Sequence, residues 1–519
     1  MTTSRWRWAR RAVQALVLLL SLWLIIYSYR DLRGTWAADV LLRLNPLAGL
    51  ATIFSGSGRT GPSPWLVFLP GFVLLLLALD LGRLWCGWLC PLGTVIDVAT
   101  PRRRRGAASK EATALGARTG ARKIKYGVLL VILFGALLGS LTLMILDPLT
   151  IWVRSVTTML LPSLHWLITR AEFLLYRVSW LHGPLDAVDA MLRGPILSHK
   201  QPIYGGVLLL AGLFGGVLAL NLVAPRTWCR YLCPLGALYS LVSRASWLKR
   251  DVSEACVGCG RCARECRMDT IDAEAGYASD PGECILCMDC FADCPTSAIS
   301  LKRQPGLAWG RPYDPTRRQA LSALGVSLGL LALWRIDRPA HQPDDRRLRP
   351  PGAREDRLLA TCIRCGACLR TCPSHGLQPS LTEAGLEGIW TPILVPRLGH
   401  CEYTCTACGD ICPTGAIPSL SLTEKRRAVI GKAYIDPELC IAWSGRGPCI
   451  VCEEMCPLPE KAIHLGEREA SDAGAGAGYA FPIQVPIVQH DLCIGCGLCE
   501  NKCPVVGQAA IRVRVDPLG

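Results

Sequence analysis

The cysteines of this chain constrain its fold more than any other feature. The chain has 28 of them in 519 residues, and most stand in runs of four, several of which are followed directly by proline. A disulfide framework pairs cysteines two at a time and is typical of short secreted chains. Runs of four instead match the four thiolates that hold one four-iron, four-sulfur (4Fe-4S) cluster. The pattern therefore predicts a protein with iron–sulfur clusters.

Six runs carry this prediction. In the spacing C-x2-C-x2-C-x3-C, three cysteines wrap one cubane and the fourth reaches a neighbouring cluster. Four runs have this spacing: Cys256, Cys259, Cys262, Cys266; Cys284, Cys287, Cys290, Cys294; Cys362, Cys365, Cys368, Cys372; and Cys493, Cys496, Cys499, Cys503. Two runs have a wider first gap: Cys401, Cys405, Cys408, Cys412; and Cys440, Cys449, Cys452, Cys456. Zinc sites use C-x2-C pairs without this third and fourth cysteine, so we expect six 4Fe-4S clusters.

The same spacing also predicts which cysteines of the first two runs bind the same cluster. One cluster is expected to take the first three cysteines of its own run and the last cysteine of the other run. The two expected sets are Cys256, Cys259, Cys262 with Cys294, and Cys284, Cys287, Cys290 with Cys266. Arg267 stands where proline usually follows the last cysteine, which removes no ligand.

Apolar stretches predict a membrane part. Runs over 12–29, 65–82, 126–146 and 203–224 approach or reach the length that a bilayer core requires, whereas 319–334 is marginal. Residues 150–182 are apolar but interrupted by charges and proline, which favours an interfacial helix or hairpin. The basic N-terminus and the loop with Arg102–Arg105 are expected to face the cytoplasm. The net charge of +15 thus fits a lipid bilayer, and we expect no nucleic acid partner.

The membrane part contains an internal repeat. Arg83-Leu-Trp-Cys86-Gly-Trp-Leu-Cys90-Pro-Leu-Gly matches Arg226-Thr-Trp-Cys229-Arg-Tyr-Leu-Cys233-Pro-Leu-Gly, and Leu44-Asn45-Pro46-Leu47 matches Leu146-Asp147-Pro148-Leu149. The match indicates a two-helix unit used twice in parallel orientation. Three roles stay open for its four cysteines: a seventh cluster, cycling between dithiol and disulfide, or packing.

From these motifs the chain resembles two known families. Residues 1–303 resemble NapH, the membrane quinol dehydrogenase component of periplasmic nitrate reduction, and its relatives NosR and CcoG. Residues 316–519 resemble NapG and MauM, four-cluster ferredoxin-type proteins exported by the twin-arginine route, through the motifs Cys362-Ile-Arg-Cys365-Gly-Ala-Cys368, Cys412-Pro-Thr-Gly-Ala-Ile and Cys493-Ile-Gly-Cys496-Gly-Leu-Cys499. The resemblance implies a NapH–NapG-like fusion. For the last domain it implies a nested arrangement, in which the two outer runs pair with each other and the two inner runs likewise.

The expected fold class is therefore multidomain. An α-helical transmembrane bundle of four to five helices, with the repeat inside it, occupies 1–249, and an α+β ferredoxin-like domain with two clusters occupies 250–303. A twin-arginine-like anchor helix and linker fill 304–358, and a four-cluster ferredoxin-type domain fills 359–519. The partial twin-arginine signal Thr316-Arg317-Arg318-Gln319-Ala320-Leu321 favours export of the last domain. We expect a multi-pass protein of a bacterial inner membrane, with 250–303 in the cytoplasm and 359–519 in the periplasm.

The expected function is electron transfer from quinol through 4Fe-4S clusters to a periplasmic reductase or c-type cytochrome. A hydrocarbon layer of about 30 Å is too thick for one electron hop, so a quinone is the expected carrier between the two sides. Asn45 and Asp147 are candidate quinol contacts, with helix capping before proline as the alternative. Whether the chain is a quinol dehydrogenase component or an electron-transfer subunit is open. So are a maturation factor that reduces a metal centre or disulfide in a partner, and a cytoplasmic ferredoxin–quinone oxidoreductase.

Overall fold

The computed structural model of the protein describes residues 3–28, 39–56, 63–100, 121–193, 196–198, 200–304, 317–340, 347–467 and 484–515. These residues form a helical part, here called the bundle (3–246 and 317–340), and two cysteine-rich parts, the first module (247–304) and the second module (347–515). The loop with Arg102–Arg105 and residue Thr316 lie outside the described residues.

The bundle consists of short and medium helices. They are α1 Thr3–Tyr27, α2 Asp39–Arg43, α3 Pro46–Phe54, α4 Pro64–Val67, α5 Leu69–Leu81, α6 Pro91–Ala99, α7 Ile124–Leu137, α8 Pro148–Ser155, α9 Leu161–Leu175, α10 His182–Leu192, α11 Val207–Ala219, α12 Thr227–Tyr231 and α13 Pro234–Ser243. Tighter or wider turns lie at Trp85–Leu89, Ala121–Lys123, Thr142–Leu146, Val156–Leu160, Ser179–Leu181 and Leu220–Leu222.

The modules are built from one-turn helices and two-stranded antiparallel sheets. Their helices are α14 Arg261–Arg264 and α15 Asp289–Ala292 in the first module, and α17 Glu355–Thr361, α18 Ala367–Thr371, α19 Ala407–Asp410, α20 Leu422–Arg427, α21 Val451–Glu454 and α22 Leu498–Lys502 in the second; α16, Arg317–Ala340, lies between the modules and packs on α7. The strands are β1 Leu248–Val252, β2 Ile271–Asp272, β3 Ala278–Ser279, β4 Ile299–Arg303, β5 Leu377–Pro379, β6 Pro392–Leu394, β7 Lys432–Ile435, β8 Ile463–Glu467, β9 Gln484–Val488 and β10 Ile511–Arg514. The pairs are β1–β4, β2–β3, β5–β6, β7–β10 and β8–β9.

In three of the predicted membrane spans, 65–82, 126–146 and 203–224, the helix is shorter than the apolar run. Among the described residues, one helix, Arg5–Tyr27, is long and apolar enough to cross a membrane; Leu69–Leu81 and Val207–Leu222 are apolar but shorter. In the run 126–146, α7 already ends at Leu137, because Gly139 adopts a left-handed φ of 76° and the chain re-enters a tight turn at Thr142. A bundle of four to five transmembrane helices therefore stays a prediction.

The stretch 150–182 contains helical segments rather than one clean span. Helix α8 continues through the wide turn Val156–Leu160 into α9, and α10 follows after a short connection. Much of the apolar surface of α9, of α10 and of the turn between them is exposed; Trp180 in the turn is 75% exposed and Met191 in α10 is 76% exposed. This hairpin is the element that the interrupted apolar pattern predicts, whereas its place at a membrane surface stays a prediction.

Helix α1 joins the two modules along one side of the bundle. Near its start, Arg7 donates to the Asp289 carbonyl of the first module (3.0 Å). Near its end, the Ile25 carbonyl accepts from the Arg370 guanidinium of the second module (3.3 Å). At about 1.5 Å per residue, these two contacts are roughly 27 Å apart along the helix. The modules thus lie at opposite ends of the bundle.

Candidate iron–sulfur sites

The four runs with full spacing share one backbone conformation. In each run the residues directly before and after the second cysteine have positive φ: Gly258 (66°) and Gly260 (68°), Leu286 (49°) and Met288 (60°), Arg364 (58°) and Gly366 (76°), Gly495 (70°) and Gly497 (79°). Left-handed turns of this kind direct successive backbone N–H groups into a concave nest that suits anions such as cluster sulfur. Three of these residues carry a side chain, at a cost of about 1–2 kcal/mol each, so the loop geometry overrides local preference.

The two looser runs reach their turns differently. Thr406 and Ile450 follow the second cysteine of their runs and have φ of −119° and −114°. Both are β-branched residues, which avoid the left-handed region. The wider first gap therefore goes with a different loop, and spacing alone does not describe it.

In the first module one group of thiols is the group that the crossed-ligand rule predicts. One cavity is lined by Cys266 together with the first three cysteines of the other run, Cys284, Cys287 and Cys290. The complementary fourth cysteine, Cys294, lies on a turn whose Ala298 carbonyl accepts from the Ser253 amide beside the first run (2.9 Å).

In the second module the grouping differs from the expected nesting. One cavity is lined by Cys362, Cys365, Cys368 and Cys412, and another by Cys440, Cys449, Cys452 and Cys503. Consecutive runs therefore pair, first with second and third with fourth, and the nested arrangement is wrong. The physical reason is local: α18 packs on α19 and α21 on α22, and runs that are close in sequence meet at a smaller loop-closure cost than distant ones.

The remaining cysteines of the second module complete two more groups. Cys372 lies close enough to Cys401, Cys405 and Cys408 to raise the pKa of each of these thiols. In the same way, Cys456 lies close enough to Cys496 to raise the pKa of that thiol. Together with the two cavities, these neighbours indicate four groups of four thiols, each composed of three cysteines from one run and the last cysteine of its partner run.

The donor sets fit 4Fe-4S clusters. Burial raises the pKa of Cys284 to about 11 and the pKa of Cys401 and Cys452 to about 12. Several adjacent thiolates are unfavourable in such a setting unless iron compensates their charge, and a metal deprotonates coordinating thiols outright. In the described part of the chain, no three His, Cys, Asp or Glu side chains are placed to share one single metal ion.

Exposure distinguishes one site from the others. All 28 cysteines lie in described residues, and only Cys256 and Cys259 are exposed; the rest are buried or half-buried. Val257 between them is 66% exposed. The loop of the first run therefore opens directly to the surface of the first module.

The repeat cysteines lie where the two repeats interlock. Cys90 and Cys233 cap α6 and α13, their sulfurs accepting from the amides of Gly93 (3.4 Å) and Gly236 (3.2 Å). Arg226 of the second repeat donates to the Cys86 carbonyl of the first (2.8 Å).

Reciprocally, Arg83 of the first repeat reaches the second. A Cβ at Gly236 would lie 3.0 Å from the Arg83 guanidinium. The four thiols of the repeats lie close to one another. They also lie near the first module, since Trp88, between Cys86 and Cys90, donates to the Leu286 carbonyl (2.9 Å). Their role stays open.

The candidate quinol contacts are fully buried helix caps. Asn45 Oδ1 accepts from the amides of Leu47 (3.0 Å) and Ala48 (3.3 Å), and Asp147 Oδ2 accepts from those of Leu149 (3.0 Å) and Thr150 (2.9 Å). Each precedes a proline at the first helical position. The geometry agrees with capping, and the quinol contact stays a prediction.

Sequence reasoning missed the ion pairs that hold the first module on the bundle. Asp97 of α6 binds Arg226 (2.8 Å) and Arg267 (2.9 Å), and Arg267 also binds Asp289 (2.5 Å). Arg267 is the residue that replaces proline after Cys266, so the unusual position was visible in the sequence. Its partner Asp97 was not, because only the fold brings the two together.

Two family descriptions match parts of this chain, and both read "4Fe-4S binding domain". One matches residues 62–107 and 206–253, which contain the two C-x3-C-P motifs. The other matches residues 486–506, which contain the last cysteine run. No solved structure matches the chain.

Curated relatives match larger parts of the chain. The methylamine utilization ferredoxin-type protein MauM of Methylorubrum extorquens is 38% identical over 219 residues, 40% of this chain and 93% of the relative. The ferredoxin-type protein NapG of Escherichia coli K12 is 35% identical over 198 residues, 37% of this chain and 78% of the relative. The ferredoxin-type protein NapH of the same organism is 28% identical over 322 residues, 61% of this chain and 84% of the relative. The chain therefore belongs to the MauM and NapG family of ferredoxin-type iron–sulfur electron-transfer proteins, fused to a NapH-like part.

Proposed function

We propose that this protein takes electrons from quinol and passes them through 4Fe-4S clusters to a periplasmic reductase or c-type cytochrome. The observation that carries the proposal is the position of the two modules. They contact α1 at points roughly 27 Å apart, close to the thickness of a bilayer core, about 30 Å. One module on each side of a membrane is the arrangement that electron transfer across it requires.

The proposed location is a bacterial inner membrane. The bundle of four to five helices would lie in the bilayer, the first module in the cytoplasm, and the second module, exported by the twin-arginine route, in the periplasm. Large apolar side chains on the outside of the bundle support this, among them Leu76 (65% exposed) and Leu208 (88% exposed), because lipid is the solvent that would cover such a surface.

Six clusters are proposed, one in each crossed group of thiols. When bound, a 4Fe-4S cluster supplies one-electron transfer. The protein's own part is to hold four sulfurs, to direct backbone N–H groups at them from the left-handed positions, and to shield most sites from water. The repeat cysteines Cys86, Cys90, Cys229 and Cys233 keep their three possible roles, of which a seventh cluster is one.

The proposed quinol site lies between the thiols of the repeats and the second module. Gln14 of α1 donates to the Gly87 carbonyl beside Cys86 (3.0 Å), whereas Ile25 meets Arg370 of the second module. These levels are roughly 16 Å apart along α1. A lipid-soluble two-electron carrier in this interval would reach cysteine sites on both sides.

The test uses the full-length protein, purified anaerobically in detergent. We expect about 24 irons and as much labile sulfide per chain for six clusters, and bleaching of the cluster absorbance when a reduced quinol analogue is added. Zinc or cystine in place of iron would refute the cluster assignment. Iron-loaded protein whose clusters stay oxidised with every quinol tested would refute the quinol step alone.

A second function is favoured by the exposed site of the first module. Cys256 and Cys259 open to the proposed cytoplasmic side, where a soluble electron carrier has access. In that case the protein would be a ferredoxin–quinone oxidoreductase fed from the cytoplasm. Reduction of the clusters by a reduced ferredoxin faster than by quinol would favour this function, and Cys256→Ser would slow the ferredoxin reaction specifically.

A further inference from the structure

We propose that Arg154, a residue of the bundle, sets the reduction potential of the cluster held by Cys362, Cys365, Cys368 and Cys412, and so makes this cluster the electron entry of the second module. The inference rests on the proposed function, because it assumes that these four thiols bind a 4Fe-4S cluster. It assigns a positioning and electrostatic role to a residue that lies outside every cysteine motif.

Arg154 lies in the contact between the bundle and the second module. Its guanidinium donates to the Arg364 carbonyl (3.3 Å), one residue before Cys365, and to the Ile145 carbonyl (3.2 Å). It also stacks 4.2 Å above the Trp390 ring. A Cβ at Gly366 would lie 3.8 Å from the Arg154 Cα. Helix α8 therefore presents this arginine directly to the cluster loop.

The charge of Arg154 is buried without a paired carboxylate. The residue is 2% exposed, and among the described residues no Asp or Glu oxygen forms an ion pair with it. Two other buried arginines of the bundle do have such partners: Arg83 has Glu283 (2.8 Å) and Arg226 has Asp97 (2.8 Å). Asp147 acts on Arg154 only through space. A buried cation needs a compensating anion, and the cysteine group beside Arg154 is the anionic group in place.

The positive charge of Arg154 affects how easily the neighbouring cluster is reduced. Reduction adds one negative charge to a cluster, and a buried cation nearby stabilises the reduced form more than the oxidised form. The low-dielectric contact strengthens the effect, because water does not screen it. The cluster beside Arg154 is therefore easier to reduce than it would be in the second module alone.

Because Arg154 belongs to the bundle, the effect depends on docking. Arg364, also buried at 1% exposure, belongs to the second module and accompanies the cluster in either state. Arg154 is present only while the second module sits on α8. The entry cluster is thus tuned to accept electrons when it faces the bundle, which is where the proposed quinol site lies.

The test is a redox titration of the full-length protein, monitored by electron paramagnetic resonance. Arg154→Met removes the charge, and Arg154→Lys keeps it. We expect the reduction equilibrium of one cluster to fall about tenfold in Arg154→Met, which corresponds to 59 mV for a one-electron couple, and to change less than threefold in Arg154→Lys. The affected signal is identified as the one that Cys412→Ser alters.

The matched control is Arg170→Met on α9, where an exposed arginine stacks on Trp166 away from the cysteine loops. We expect Arg170→Met to leave the reduction potentials of all clusters unchanged. A full set of cluster signals with no shift in Arg154→Met would overturn the inference, whereas absence of cluster signals in the unmodified protein would overturn the proposed function instead. If Arg154→Met loses iron, Arg154→Gln, which keeps hydrogen-bonding groups, decides: a shifted signal supports the inference, and iron loss there too shows a purely structural role and refutes it.

Discussion

The carboxylate of Glu283 connects the first module to the bundle and offers a sharp test of this contact. It accepts from Arg83 (2.8 Å) and Lys125 (2.5 Å), whose side chains are both 0% exposed, and from the Tyr126 hydroxyl (3.0 Å). Glu283 immediately precedes Cys284. Glu283→Gln keeps the size of the side chain but leaves two buried cations without their anion.

The expected loss of stability follows from these distances. At an effective dielectric constant of about 20, one unit charge at 2.8 Å contributes roughly 6 kcal/mol of attraction, most of which is offset by the desolvation of the ions. Removing one partner of a buried ion pair costs about 3–5 kcal/mol in measured cases. With a urea dependence of about 2 kcal/mol per molar, the unfolding midpoint falls by roughly 1.5–2.5 M.

The assay is urea unfolding of the full-length protein in detergent, under anaerobic conditions, followed by cluster absorbance. The effect also depends on pH. Burial by itself raises the pKa of Glu283, but the charges of Lys125 and Arg83 outweigh it and lower the pKa to about 2. The contribution of Glu283 is therefore full above about pH 4.5 and declines as the pH falls below that value. The difference between wild type and Glu283→Gln is therefore nearly constant between pH 7 and about pH 5, and it shrinks as the pH falls from about 4.5 towards 2.

The control is Glu274→Gln, an exposed glutamate of the same module, which changes the midpoint by less than about 0.3 M because surface substitutions stay within ±0.5 kcal/mol. If Glu283→Gln unfolds at the wild-type midpoint, the buried ion cluster does not stabilise the docked module, and the reasoning fails.

Three further outcomes are expected. Cys412→Ser perturbs the cluster of the Cys362 loop while the remaining groups keep their iron, as measured by iron analysis and electron paramagnetic resonance; a change in the cluster of Cys440, Cys449 and Cys452 instead would restore the nested arrangement. Asp147→Asn keeps the cap and the iron content and, if Asp147 contacts quinol, reduces quinol-dependent cluster reduction at least tenfold; unchanged turnover would leave it a cap only. The cluster at Cys256 and Cys259 is lost first on exposure to ferricyanide and chelator, seen as partial bleaching with about four irons released; loss of a buried cluster first would contradict the exposure argument.

Cysteine spacing predicted the thiol group of Cys266, Cys284, Cys287 and Cys290, because the short gaps between cysteines limit which thiols can meet. The family and the 4Fe-4S binding function followed from the same motifs. The spacing did not decide which runs pair in the second module, since the gaps within a run do not say which other run supplies its fourth ligand. That choice depends on which helices pack together, such as α18 with α19, and the analogy used in its place gave the wrong answer.

In the helical part, hydropathy predicted where helices lie but not where they end. Hydropathy located the helices, but it counted 126–146 as one span where Gly139 and a tight turn shorten the helix. Composition does not report where a helix ends. Likewise, Arg154 and Asp97 look like ordinary charged residues in apolar surroundings, and only the fold shows what they face.

The exchange of arginines between the repeats has a consequence for synthesis. Asp97, buried in the first repeat, receives its partner Arg226 from 129 positions later in the chain. Until the ribosome has delivered that arginine, the carboxylate either stays in water or is buried alone at a cost of several kcal/mol. The first repeat therefore cannot settle into its final form by itself, and a truncated chain that ends before Arg226 would expose an unfinished, proteolysis-prone surface rather than a working half.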